Sequence, residues 1–329
     1  MPNEAQKILC INISRIGDVI SSMVVVNYLR DRFGAVDFLV NEGYFPMLES
    51  EPGISGVTRT QVLERHYDIL VDLTSSKDSR RLVRQLHAKT RVGLYRTWLH
   101  RLRLLTTYNV LKKKKVVRGG TDQDHIMKGF YPILEYFGEH QALTPTLSEG
   151  LATDKVDTLL TQARSGSGKV VAIHFGATNP KRRPPEPLLL DIIDYSKRLG
   201  AGIILLGDER ELADKLLASS AGHALLFEGD LNELKYLLSE VDLFIGPCSG
   251  PLHMSAALGT PMIGLYGPTV THISAPVSDK LNVVELDMAC RPCVPKQPCP
   301  HDIACLRDLP RETINGLLDR YLAPDKSAA

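Results

Sequence analysis

The sequence predicts an α/β protein made of two doubly wound parallel sheets, and three observations predict it. Short apolar runs alternate with longer amphipathic stretches, the order that leaves parallel strands joined by crossover helices. The alternation starts at KILCINIS and ends at TRVGLY, then restarts at KVVAIHFGA. Between the two series lie LTPTLSEGLATDK and SGSGK around one short helix, a Ser, Thr, Pro and Gly enrichment typical of a linker. With 329 residues the chain has room for two units of ordinary size. The boundary is expected near residues 150–168, giving domains 1–155 and 156–329.

Each element follows from its residues. KILCINIS is a buried-type strand, and after a Gly-containing turn VISSMVVVNYLRDRF is a helix. VDFLV is a strand, GYFPMLESEP a short helix, YDILVDL a strand, residues 80–86 a helix and TRVGLY a strand. In the second series KVVAIHFGA is a strand, and EPLLLDIIDYSKRLG is a helix stopped by its glycine. AGIILLG, ERELADKLLASSAG, VDLFIG, PLHMSAALG and PMIGLYG continue the alternation, and ETINGLLDRYL is a helix near the end.

Composition excludes several classes. Hydrophobic residues at 43% and charged residues at 23% are globular values, not those of a disordered or fibrous chain. No apolar run approaches the ~20 residues of a membrane-spanning helix, and the start lacks the pattern of a signal peptide, so a cytoplasmic protein is expected. The formal net charge of +1 hides an asymmetry. Residues 77–118 hold fourteen basic side chains against Asp78, a local charge of +13, while the remainder sums to −12. Such a field suits a polyanionic partner: nucleic acid, an anionic membrane surface, or a phosphorylated or carboxylated substrate. A solvated basic helix face is the plainer reading.

Ligands of open parallel sheets bind beyond the carboxyl ends of the strands, where helix N-termini present backbone N–H groups. Three segments fall there. In SRIGDVI, Gly17 permits a tight turn, and Asp18 either caps the next helix or acts as a general base. In HFGATNPKRRPPEP, Thr178 and Lys181 suit phosphate oxygens, although the Walker A spacing is absent and a plain basic loop remains open. In GPCSGPLHMSAALGTPMIGLYGPT, Ser249 and Gly250 open a helix able to grip a diphosphate, and His253 lies one turn in. Thr269 closes the next small-residue loop; His253 could equally be a buried, hydrogen-bonded histidine. The missing Gly-x-Gly-x-x-Gly after the first strand argues against a nicotinamide-dependent dehydrogenase.

Together, the strand–IGD–helix start, HFGATNPKRRP, SGPLHMSAALGTPMIGLYGPT and the cysteine-rich tail resemble glycosyltransferase family nine, the ADP-heptose:lipopolysaccharide heptosyltransferases. The resemblance spans nearly the whole chain. It implies a GT-B fold, two Rossmann-like domains facing across a cleft, with the acceptor on residues 1–155 and the nucleotide-sugar on residues 156–329. It implies an inverting transfer that requires no metal or other cofactor, with Asp18 as catalytic base. Thr178, Lys181, Ser249, Gly250, His253 and Thr269 are then donor-binding. Arg80, Arg84, Lys112 and Arg118 are acceptor-binding. The implied partners are an ADP-sugar and an anionic lipid-linked core oligosaccharide, with peripheral contact at the cytoplasmic face of the inner membrane and no nucleic acid. Many family members carry Asp-Ser-Gly or Asp-Thr-Gly where this chain has Cys248-Ser249-Gly250, and cysteine lacks the carboxylate that contacts the donor. That departure leaves open another nucleotide-sugar, transfer of heptose to an autotransporter protein, or a non-catalytic nucleotide-binding module.

Cys290, Cys293, Cys299 and Cys305 form C-x2-C-x5-C-x5-C, a spacing open to a structural zinc or iron site or to reduced thiols. Similar clusters occur in family relatives, some of which hold iron. Cys10, inside the first strand, reads as a small buried apolar residue.

Overall fold

The structure is a computed structural model describing residues 6–74, 76–95, 109–112, 125–164, 168–293 and 297–324. It divides into two compact units, Met1–Ser148 and Glu149–Ala329.

The first unit is laid out by its central strand. β1 (Ile8–Ile11) is buried at every position, as ILCI requires. α1 (Ile16–Phe33) follows and buries Val19, Ile20 and the run from Met23 to Val26, more than one stripe of its surface. A helix apolar nearly all round belongs inside a core or a membrane. Among the described residues no helix is long and apolar enough to cross a membrane. The chain then forms β2 (Val36–Leu39), α2 (Phe45–Leu48), β3 (Ile54–Gly56) and α3 (Arg59–Leu63). Thr58 and Gln61 close a reciprocal capping box that fixes the start of α3. β4 (His66–Asp72), α4 (Lys77–Val83), β5 (His87–Tyr95), β6 (Asn109–Lys112) and α5 (Tyr131–Tyr136) complete the unit.

The second unit opens with α6 (Asp154–Ala163), then β7 (Val170–His174), α7 (Glu186–Arg198), β8 (Gly202–Leu206) and α8 (Arg210–Ser219). β9 (Ala224–Leu226), α9 (Leu231–Glu240), β10 (Leu243–Pro247), α10 (Gly250–Leu258) and β11 (Met262–Tyr266) follow. α11 (Thr271–Ser274), β12 (Leu281–Glu285), α12 (Ala304–Arg307) and α13 (Arg311–Leu322) end it. Strands β7, β8, β10 and β11 are buried throughout, and apolar faces of α7, α8 and α13 cover them.

The strand orders are β3-β2-β1-β4-β5-β6 and β12-β11-β10-β7-β8-β9, with the paired strands parallel. Read from the opposite edge, the second order repeats the first. In such sheets the direction of winding reverses beside the first strand, and the crevice for a ligand opens at that switch point. It lies between β1 and β4 in one unit and between β7 and β10 in the other. The sequence pattern had marked four strands in each half; the four it did not mark, β3, β6, β9 and β12, are the sheet edges.

Candidate active site

In the first unit the switch point is built on buried polar residues. Asn12 directly follows β1 and is 1% exposed. Its Nδ2 donates to the Asp18 carbonyl at 3.1 Å and to Ser22 Oγ at 2.9 Å. Its Oδ1 accepts from the Ser14 amide at 3.2 Å and from the Ser14 hydroxyl. One amide thus spends its full hydrogen-bonding capacity on the loop that leads into α1. Asp18 is the third residue of α1 and half-buried; the N-cap position belongs to Arg15, whose side chain caps nothing. Asp18 is thus not the N-cap, and its carboxylate lies within the positive first turn of the helix. Across the switch point β4 ends in the fully buried Asp72, which accepts from the Thr74 amide at 3.1 Å and its hydroxyl at 3.0 Å.

Of the basic segment, the described side chains are those between Lys77 and Arg91. Arg80 is half-buried on α4, and Arg84 is exposed at its C-terminal cap. Lys89 pairs with Asp68 at 2.7 Å, and Arg91 folds back onto the Leu86 carbonyl at 2.8 Å. Lys112 closes β6, but its side chain, like the whole of Arg118, lies outside the described residues.

In the second unit, the loops after β7 and β10 meet. His174 ends β7, and its Nδ1 lies 3.1 Å from Ser249 Oγ. The Ser249 hydroxyl also lies 3.0 Å from the Pro247 carbonyl, to which it can donate while accepting from an imidazole that carries hydrogen on Nδ1. Burial lowers the His174 pKa to about 4 against the opposing pull of Asp208, so the ring is neutral at neutral pH. Ser249 is the N-cap of α10, yet its side chain caps no helix amide. Its hydroxyl being held elsewhere, the positive end of α10 stays available to an anion. His253, half-buried, is the fourth residue of that helix.

The loop after β7 gives each cation of the Lys-Arg-Arg run a different task. Asn179 accepts from the Lys181 amide at 3.2 Å and opens a 3-10 turn over Pro180–Arg182. Lys181 Nζ donates to the Gln297 carbonyl. Arg182 reaches the Cys248 carbonyl at 3.5 Å, next to Ser249. Arg183 donates to the Ala177 carbonyl at 2.9 Å and pairs with Glu209. Thr178 is exposed on the same loop. Cys248 is 6% exposed and turns its thiol toward Ser274, 3.7 Å from Oγ. The Tyr266 phenol lies against it and is held protonated, chiefly by burial and next by that thiol.

After β11 the chain runs through Gly267 to the half-buried Thr269. A methyl group at Gly267 would stand 2.5 Å from Leu306 Cγ and 3.1 Å from Cys305 Sγ, so only glycine lets this loop lie on α12.

Cys290, Cys293, Cys299 and Cys305 all lie among the described residues. All four are free thiols, and among the described residues no group of three or more His, Cys, Asp or Glu is placed to hold an ion. The sulfurs are used individually. Cys305 is buried under Gly267, Cys299 Sγ accepts from the Ile303 amide at 3.4 Å, and Cys293 Sγ donates to the Cys290 carbonyl at 3.7 Å. Burial first, and then the neighbouring cysteines, push the Cys293 and Cys305 thiols up. Cys10 is buried in β1 as expected, its thiol raised by burial alone.

Sequence reasoning named neither Asn12, Asp72 nor His174 as site residues. The available signal was positional: each is a polar residue at the end of an otherwise apolar strand, in ILCIN, ILVD and VVAIH.

The family model for glycosyltransferase family 9 (heptosyltransferase) matches residues 58–302. The lipopolysaccharide core heptosyltransferase OpsX of Haemophilus influenzae is 23% identical over 305 residues, covering 86% of this chain and 85% of that protein. The glycosyl transferase family 9 structure from Veillonella parvula superposes with a TM-score of 0.76 at 16% identity, covering 98% of each chain. The E. coli ADP-heptose lps heptosyltransferase II gives 0.73 at 20% identity, covering 95% of this chain and 99% of that one. The E. coli heptosyltransferase WaaC with ADP gives 0.71 at 18% identity, covering 96% and 99%. The two-sheet architecture is thus the GT-B type those enzymes share. The chain belongs to glycosyltransferase family 9, the heptosyltransferases, and is a glycosyltransferase.

Proposed function

We propose that the protein transfers heptose from ADP-heptose to an anionic lipopolysaccharide inner-core acceptor, with inversion at the anomeric carbon. Residues 1–155 bind the acceptor and residues 156–329 the donor. The supporting observation is the meeting of the β7 and β10 loops through His174 and Ser249, which keeps the Ser249 hydroxyl off the N-terminus of α10. A diphosphate is the ligand such a helix end favours.

In this reading Asp18 removes the proton of the attacking acceptor hydroxyl as that oxygen bonds to the anomeric carbon and the glycosidic bond to ADP breaks. Negative charge builds on the departing diphosphate. Lys181, Thr178, the amides of the helix opened by Ser249 and Gly250, His253 and Thr269 stabilise it. Removing one such preorganised donor typically costs about 2.7–4 kcal/mol of barrier, roughly a hundredfold or more in rate. No metal or other cofactor takes part. Arg80, Arg84, Lys112 and Arg118 meet the carboxylates and phosphates of the acceptor, Arg suiting those groups in bidentate fashion. The enzyme works in the cytoplasm, with the basic segment touching the anionic inner-membrane surface. OpsX is named for a core lipopolysaccharide transfer and the E. coli enzyme for ADP-heptose, and both favour this donor and acceptor class.

The test is mass spectrometry of products after offering ADP-heptose, other ADP-sugars and UDP-sugars with truncated core acceptors and, separately, autotransporter protein. A heptose mass added to the glycolipid from ADP-heptose alone is the expected result. A hexose adduct, transfer to protein, or ADP binding without any product would overturn it.

A further inference from the structure

The cysteine-rich segment makes directed contacts. Arg291, between Cys290 and Pro292, has a side chain only 11% exposed. Its Nη2 donates to the Thr269 carbonyl at 2.8 Å and pairs with Glu285 at 2.6 Å, while Nη1 donates to the Leu286 carbonyl. Glu285 in turn accepts from the Thr271 hydroxyl. Burial raises the Glu285 pKa, but Thr271 and Arg291 outweigh it and hold the carboxyl below its ordinary range. Two residues on, the Cys293 amide donates to the Pro268 carbonyl at 3.2 Å. Further along the same segment, the Gln297 carbonyl receives Lys181 Nζ. Every one of these bonds ends on the loop after β11, on the end of β12, or on the lysine of the β7 loop.

We propose that Arg291 is a positioning residue for the nucleotide-sugar: its guanidinium ties the loop at residues 267–269 to the end of β12, so that Thr269 is presented to the donor in one conformation. The inference rests on the donor reading given above. The geometry needs arginine, because two nitrogens of one planar fork serve the Thr269 and Leu286 carbonyls while the charge faces Glu285. Lysine could keep the ion pair but not both carbonyls. Gly267 has no side chain to pin the loop itself, so the restraint must come from outside it.

The test is ADP affinity by calorimetry, and donor and acceptor KM, for wild type, Arg291→Ala and Arg291→Lys, with thermal midpoints measured in parallel. Loss of charged hydrogen bonds to the loop is expected to weaken ADP binding and raise donor KM in Arg291→Ala by about tenfold. Acceptor KM and kcat at saturating donor should stay near wild type, and Arg291→Lys should recover part of the loss. Wild-type ADP affinity in Arg291→Ala, or a fall in kcat with donor KM unchanged, overturns the assignment. Should Arg291→Ala fail to fold, an unchanged donor KM in Arg291→Lys overturns it instead. A wild-type protein that does not bind ADP at all removes the donor reading beneath it, a result distinct from either of these.

Discussion

Asn12, Asp72 and His174 occupy the ends of the strands that flank the two switch points, and each is less than a tenth exposed. A polar group buried there is tolerated only when its hydrogen bonds are made, and each of the three shapes a loop in making them. His174 carries a pH signature. Its folded pKa of about 4 lies below the ordinary value of 6.5, so between these limits the unfolded chain binds a proton that the folded chain does not. Stability is therefore full above pH 6.5 and is lost as pH falls toward 4. Thermal midpoints at pH 7.5 and 5 should differ more for wild type than for His174→Gln; equal slopes would show that His174 does not contribute. Lys181→Ala should weaken ADP binding about tenfold to a hundredfold, the range of a charged hydrogen bond. Unchanged affinity would remove Lys181 from the phosphate site.

At the scale of the elements, the central strands were legible because ILCI, VVAIH, LFIGP and MIGLY are uninterrupted apolar runs, buried on both faces. The edge strands were not. β3 and β9 are three residues long, and β12 buries only Val284, between two exposed residues, so they offered no such run. Pairing with a neighbouring strand, not local pattern, makes them strands. Candidate site residues were legible where glycine or a charge interrupts the pattern, as at Asp18, Lys181 and Ser249. Arg291 was hidden, because only the folded chain brings residue 291 to residue 269. The cysteine spacing left a metal site and reduced thiols both open, since spacing fixes neither direction nor protonation. The loop after β11 depends on the missing side chain of Gly267. Gly267→Ala should displace Leu306 and Cys305 and cost about 1–3 kcal/mol of stability through overpacking. A thermal midpoint equal to wild type would mean that α12 yields without cost.

For the whole molecule, the proposed division of labour rests on charge and topology. The excess of positive charge in residues 77–118 falls within the first unit's part of the sequence, and the proposed polyanionic acceptor would be drawn to such a field. Reversing charge at Arg80 and Arg84 together should raise the acceptor KM more than the donor KM, with the difference shrinking as salt increases. The opposite order would put the acceptor elsewhere. The most direct measurement pairs turnover with ADP affinity in Asp18→Asn, which keeps the size of the side chain and removes the base. Turnover should fall by a factor of about 10²–10⁴, the worth of a general base, while ADP binds as tightly as to wild type. Undiminished turnover would contradict the catalytic role of Asp18 outright.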